Sequence, residues 1–172
     1  MISEEIEALS RARSNHIVKH LRYLRTTNNM YEVYDHFDHG DLNTLLSLGK
    51  LTLVEGLFIF HNLVSGLKVL FMNRILHRDI KPENIFLKTF NPVQVDPNLQ
   101  KSNYNRLLST IRYQAVLGDF GLCRILDENE EDIEGAYGSP MYMSPECLQG
   151  FKYGLSSDLY SLGIVLYEII FN

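Results

Sequence analysis

Four polar residues sit among apolar neighbours in two short stretches, HRDIKPEN at residues 77–84 and GDFG at 118–121: Asp79, Lys81, Asn84 and Asp119. Moving a phosphoryl group asks little covalent help from a protein. It asks for a carboxylate that orients the attacking hydroxyl, oxygen ligands for the metal that accompanies a polyphosphate, and cations for the developing charge. The two stretches hold that set. Asp79 can orient a hydroxyl or accept its proton, Lys81 can reach a transferring phosphate, and Asn84 with Asp119 offers the oxygen ligands that a hard cation such as Mg2+ prefers. Singly, each is an ordinary loop residue, and Asp in particular favours turns.

The elements that must position these residues read as a mixed α and β chain. Ile2, Ile6 and Leu9 recur at spacings of four and three, which predicts an amphipathic helix in the first dozen residues, its acidic start suited to the helix dipole. Asn15 and His16 end it. HIVKHLRYLRTTNNMYEVYDHF alternates around a polar TTNN turn and predicts an antiparallel hairpin. DLNTLL opens a short helix, and Leu53, Leu57, Phe60, Val64, Leu67 and Phe71 predict a longer one with those six residues on its buried face. Residues 89–113 carry Pro92 and Pro97 and read as a surface excursion with one helical turn at Leu107, Leu108 and Ile111. AVLGDFG resumes as strand and turn. The final SSDLYSLGIVLYEIIFN is apolar nearly all round, as in a helix buried on most of its faces. Strands are expected mainly before residue 40.

The chain has 172 residues, 45% hydrophobic and 22% charged, the balance of an ordinary globular protein. A formal net charge of -5 argues against nucleic acid or an anionic membrane as the main partner, since both reward a basic face. Cys123 and Cys147 are too few and too isolated for a metal cluster or a disulfide framework, and the N-terminus lacks a signal-peptide layout. An intracellular, reduced protein of the cytoplasm or nucleus is expected. Residues 162–171 are too short to span a bilayer, and residues 51–71 are interrupted by Glu55, His61 and Lys68, so no membrane span is expected.

Taken in order, HRDIKPEN, DFG, SPE and SDLYSLG resemble the protein kinase family, whose signatures are H-R-D with a downstream Asn, D-F-G and A-P-E. The resemblance implies an α+β protein kinase-like fold, truncated to the helix the family calls αC, part of the N-lobe sheet, and a mainly α-helical C-lobe up to the helix called αF. On that frame residues 1–172 form a partial kinase domain, with 1–34 an N-lobe remnant, 35–41 the hinge, 42–172 the C-lobe, and the excursion at 89–113 an insertion. Asp79 and Lys81 become the catalytic pair, Asn84 and Asp119 the Mg2+ ligands, ATP the phosphoryl donor, and a protein hydroxyl the acceptor. A lysine two residues after Asp79 is the serine/threonine pattern. The resemblance places Glu5 where a glutamate pairs with the ATP-binding lysine and makes Tyr34 the gatekeeper. The backbone of Asp35 and Phe37 then faces the adenine edge, with Phe86 beneath the ring. Leu9, His77 and Phe120 fall on an internal column, and Asp158 anchors the catalytic-loop backbone. HRDIKPENIFL, LGDFGLCRIL and PMYMSPE are most similar to the NIMA-related kinases.

The sequence also departs from that frame. These residues contain no G-x-G-x-x-G loop and no V-A-I-K-like lysine. Glu146 of SPE is expected as a buried carboxylate without its arginine, and the last helix as an uncovered apolar surface. The chain therefore reads as a segment of a kinase domain. It is an enzyme when completed, or alternatively an inactive fragment that associates with proteins through its αC and αF surfaces. No Ser or Thr lies between Phe120 and Gly138, where the acidic run 127–134 falls. One reading has Glu130, Glu131 or Asp132 standing in for a phosphate by pairing with Arg78; the other is a solvated acidic loop. Ser139 is expected as a small hydroxyl near Asp79.

Overall fold

The computed structural model describes residues 4–49, 51–90 and 112–171. Helix α1 spans Glu4–Arg11, with Glu4, Glu5 and Glu7 in its first turn and Arg11 in its last, and buries Ala8 and Leu9. Both charge sets complement the helix dipole. Strands β1 (His20–Arg25) and β2 (Met30–Tyr34) form the expected antiparallel hairpin. Its turn is closed by Thr26, whose hydroxyl accepts the Asn29 N–H at 3.1 Å. Helix α2 (Leu42–Ser47) is capped by Asp41, which accepts the Thr44 N–H at 2.8 Å. Helix α3 (Leu53–Met72) starts on a capping box between Thr52 and Glu55.

Beyond α3 lie β3 (Ile75–Leu76), β4 (Ile85–Thr89), β5 (Tyr113–Leu117) and β6 (Arg124–Ile125), then α4 (Pro145–Leu148) and α5 (Ser156–Phe171). The strands pair antiparallel as β1–β2, β3–β6 and β4–β5. The expectation that strands fall mainly before residue 40 is thus corrected. Pieces of two to five residues are too short to display alternation, and partners far along the chain define them.

A second correction concerns the buried face of α3. Of the six residues predicted to face the core, Leu53, Leu57 and Val64 are exposed. The buried stripe is Glu55, Gly56, Ile59, Asn62, Leu63, Gly66, Leu67 and Leu70. The helix is apolar around most of its circumference, so hydrophobic spacing does not choose a face. Close approach does. A Cβ at Gly56 would lie 2.5 Å from Ile169 of α5, and one at Gly66 would lie 2.8 Å from the His16 carbonyl. By length and composition α3 could cross a bilayer. Here its buried stripe belongs to the core that joins α1, α2, α5, β4 and β5.

Helix α5 buries Ser157, Asp158, Ser161, Leu162, Val165 and Ile169 and leaves Leu159, Tyr160, Tyr167, Ile170 and Phe171 exposed. It is therefore buried on one face rather than on most. Glu146, expected to be buried, is partly exposed.

The excursion leaves from β4 and returns to β5; its Leu107, Leu108 and Ile111 lie outside the described residues. At its root the Phe90 N–H donates to the Arg112 carbonyl at 2.8 Å. The Arg112 guanidinium grips Glu55 with Nε–Oε1 2.7 Å and Nη2–Oε2 3.1 Å. Glu55 is 2% exposed. Burial pushes its carboxyl upward, but bonds from Arg112 and Thr52 outweigh this and hold it below the usual range. A depressed carboxylate stabilises the fold above its unfolded value and loses that contribution as pH falls through the folded one. Stability is therefore expected to drop below roughly pH 4. In urea titrations, Arg112→Met should cost about 1–2 kcal/mol at neutral pH, a figure discounted because the guanidinium is half-exposed, and should flatten the acid slope.

Candidate active site

The site hangs on the loop between β3 and β4. Asp158, 1% exposed on the buried face of α5, accepts the His77 N–H at 2.7 Å and the Arg78 N–H at 3.0 Å. Burial raises its carboxyl above the ordinary range, against the opposing pull of His77 and the two N–H groups. The clamp holds Arg78 in the left-handed region, with φ 67°. A non-glycine residue adopts that conformation at a cost of order 1–3 kcal/mol, so it needs such support. The His77 ring is fully buried, places Nε2 2.9 Å from the Gly118 carbonyl, and packs on Phe120 at 4.7 Å between centroids. Leu9 lies in the same core.

With the backbone turned this way, Asp79 sits at the centre of a polar knot. Its Oδ2 lies 2.8 Å from Lys81 Nζ and accepts Asn84 Nδ2 at 2.9 Å. Its Oδ1 accepts the Ser139 hydroxyl at 2.8 Å, and Lys81 Nζ also donates to Ser139 at 2.8 Å. Burial pushes Asp79 upward, and these three partners together pull it below the usual carboxylate range. It is therefore ionised across neutral pH. A carboxylate offers about four acceptor positions. Three are taken by side chains, which leaves one on Oδ1.

Asn84 Nδ2 donates to the Asp79 carbonyl as well as to its carboxylate, both at 2.9 Å. The amide is thereby locked with Oδ1 pointing away from Asp79. Asn84 and Asp119 line one cleft of about 440 Å³ with Glu5, Glu32, Tyr34, Asp35, Phe37 and Phe86. A hard cation held by few protein oxygens takes the rest from water and phosphate, and one amide oxygen with one carboxylate fits Mg2+ in that mode. Among the described residues no cluster of three or more His, Cys, Asp or Glu could hold a metal by itself. A larger groove of about 720 Å³ runs along α1 and β1, but it contains none of the chemical residues. The smaller cleft is the candidate site because the acid, the amide and an aromatic floor converge there.

That floor is Phe86, which stacks with Phe37 at 5.1 Å and 22°. Asp35 donates its N–H to the Lys19 carbonyl at 3.4 Å. In the cleft Glu5 meets no lysine among the described residues. It accepts the Tyr34 hydroxyl at 2.8 Å, and Tyr34 also lies within bonding reach of Glu32. Burial raises Glu5 above the ordinary range, only partly offset by Tyr34. The hydroxyl carries one proton, so it serves one of the two carboxylates at a time.

The structure thus gathers Asn84, Asp119, Glu5, Asp35, Phe37 and Phe86 around one cleft, with Asp79 and Lys81 joined to it through the bond from Asn84 to Asp79. It does not pair Arg78 with the acidic run. The Arg78 guanidinium donates to the Leu122 and Cys123 carbonyls and lies over the Tyr137 ring at 4.4 Å. The left-handed turn sends the side chain toward the DFG segment; the Glu130 carboxylate meets Arg124 instead, and Arg74 donates to backbone carbonyls of the run. Sequence reading missed the role of Arg124 because its partners, Glu4 and Glu130, are set by the packing of α1 against β6 and not by the stretch LGDFGLCRIL in which it lies. It missed the Tyr34–Glu5 bond because the two residues lie 29 positions apart.

The geometry is that of a carboxylate bonded by a lysine, a hydroxyl and an amide, next to a cleft that Asn84 and Asp119 line. The protein kinase domain family matches residues 1–172, and the chain belongs to that family. Its relatives include a protein of Acanthamoeba polyphaga mimivirus named as a serine/threonine-protein kinase, 32% identical over 98% of this chain and 38% of the relative. A calcium/calmodulin-dependent protein kinase of Metarhizium anisopliae is 28% identical over 99% of this chain and 40% of its own length. The serine/threonine-protein kinase Nek5 of Homo sapiens is 37% identical over 64% of this chain and 13% of its own length. The chain therefore spans less than half the length of each of these relatives.

Proposed function

We propose that these residues carry the catalytic loop and adenine floor of a serine/threonine protein kinase of NIMA-related type, which transfers the γ-phosphoryl group of ATP to a protein hydroxyl. The observation that carries this is the knot at Asp79. The carboxylate is ionised and held on three sides, and its remaining acceptor position serves to orient a substrate hydroxyl and take its proton late. Lys81 supplies positive charge beside it. Asn84 and Asp119 would hold Mg2+, which supplies neutralising charge for the phosphates. Phe86 and Phe37 form an apolar bed for the adenine, and the backbone of Asp35 and Phe37 faces its edge.

A second reading is a protein-interaction role without turnover. It is favoured by one observation: the cleft is lined by Glu5, Glu32, Asp35 and Asp119 and, among the described residues, by no lysine or arginine. The exposed side of α5, with Tyr167 and Phe171, and the surface of α1 would then serve as contacts.

The two readings part on one measurement. Under the kinase reading, the protein with Mg-ATP phosphorylates a generic protein acceptor on Ser or Thr, and Asp79→Asn lowers the rate about 10²- to 10⁴-fold without changing thermal stabilisation by Mg-ATP. Absence of both transfer and Mg-ATP stabilisation in the wild type would reject that reading.

A further inference from the structure

The acidic run after β6 is not simply solvated, because one of its carboxylates is tied into the fold from two sides. Glu130 Oε2 pairs with Arg124 Nη2 at 3.4 Å and accepts the Asp127 N–H at 3.2 Å. Arg124 reaches with its other terminal nitrogen to Glu4 Oε1 at 3.5 Å, and the same Glu4 oxygen accepts the Ile125 N–H at 2.8 Å. From the opposite side, Arg74 donates to the Asp127 carbonyl at 2.9 Å and to the Glu130 carbonyl at 2.5 Å. Its own carbonyl accepts the Leu126 N–H at 2.9 Å. Strand β6 pairs with β3, which runs straight into the loop bearing Asp79. One guanidinium therefore joins the first turn of α1, the strand behind the catalytic loop and the acidic run.

We infer that Arg124 and the fixed carboxylate of Glu130 form a built-in clamp that orders residues 124–130 against α1 without phosphorylation of that segment. Two features of the molecule support this. The stretch from Phe120 to Gly138 offers no Ser or Thr to phosphorylate. The anion that Arg124 meets is supplied by the chain itself, held by the Asp127 N–H and by the Arg74 guanidinium on the Asp127 and Glu130 carbonyls. Single surface ion pairs contribute little. A cation shared by two anchored carboxylates is different in effect, because losing it releases two elements together.

The test is backbone amide exchange on the purified chain, which needs no turnover and so fails or succeeds apart from the kinase reading. Glu130→Gln preserves shape and should speed exchange about two- to fivefold both in 124–130 and in α1, the scale of one or two lost surface pairs. Arg124→Met should do at least as much. Glu4→Gln with Glu130→Gln should not exceed Arg124→Met, since both act through one cation. Glu128→Gln makes the same charge change and should leave α1 as it is. Should Arg124→Met fail to fold, the Glu130→Gln result still decides. Unchanged exchange in α1 with Glu130→Gln, or an equal effect from Glu128→Gln, overturns the clamp.

Discussion

Replacing Asp158 with alanine should lower the stability of the chain by about 3–5 kcal/mol, the largest loss expected from any single side chain here. The substitution leaves the His77 and Arg78 N–H groups buried without an acceptor, each at a cost of about 1–3 kcal/mol. It also removes the support for the left-handed φ of Arg78. Asp158→Asn keeps one carbonyl oxygen and should cost about half as much. In urea the midpoint should fall with an unchanged slope, and the melting temperature should drop by roughly 6–20 °C for a domain of this size. A loss below about 1 kcal/mol would show that the N–H groups find other partners and that the clamp is incidental. Because the same clamp aims the loop, any phosphoryl transfer should fall further than stability alone explains.

Gly138→Ala should be nearly as damaging, for a steric reason. Gly138 has φ 109°, and a Cβ there would lie 2.1 Å from the Arg78 carbonyl and 3.5 Å from Asp79 Oδ1. Side-chain-bearing residues rarely adopt that backbone region. The neighbouring carbonyl cannot yield, since Asp158 holds the Arg78 backbone. Either Ser139 is dragged from Asp79 or the loop shifts. We expect a loss of about 2–4 kcal/mol together with loss of the Ser139–Asp79 bond. Gly163, inside α5 with nothing within 4 Å of its absent Cβ, provides the control. Gly163→Ala should be neutral or stabilise by up to ~1 kcal/mol. Equal melting temperatures for Gly138→Ala and the wild type would refute the close contact.

How far the site could be read before folding depends on the kind of interaction. Asp79, Lys81 and Asn84 lie within six positions, and their types already specify the chemistry. Asp119 and Asp158 follow at motif positions. The hairpin and the short helix at DLNTLL are local, and local rules predict them. The buried side of α3 is different. Its apolar residues wrap the helix, so only the contacts at Gly56 and Gly66 decide which side turns inward. The proposed meeting of the acidic run with Arg78 failed for a related reason. Opposite charges in a sequence state that a pair is affordable, and backbone dihedrals decide which pair forms.

The order and types of HRDIKPEN, DFG, SPE and SDLYSLG were enough to name the family, because each is a short run of fixed residue types and the four follow one another in the family's order. Tertiary structure alone decided which partner each charged group meets: Tyr34 for Glu5, Arg112 for Glu55, Arg124 for Glu130. Those pairs join residues that are distant or unremarkable in the sequence. Electrostatic attraction acts on distance in space, and only the packing of α1, α3, β3 and β6 sets that distance.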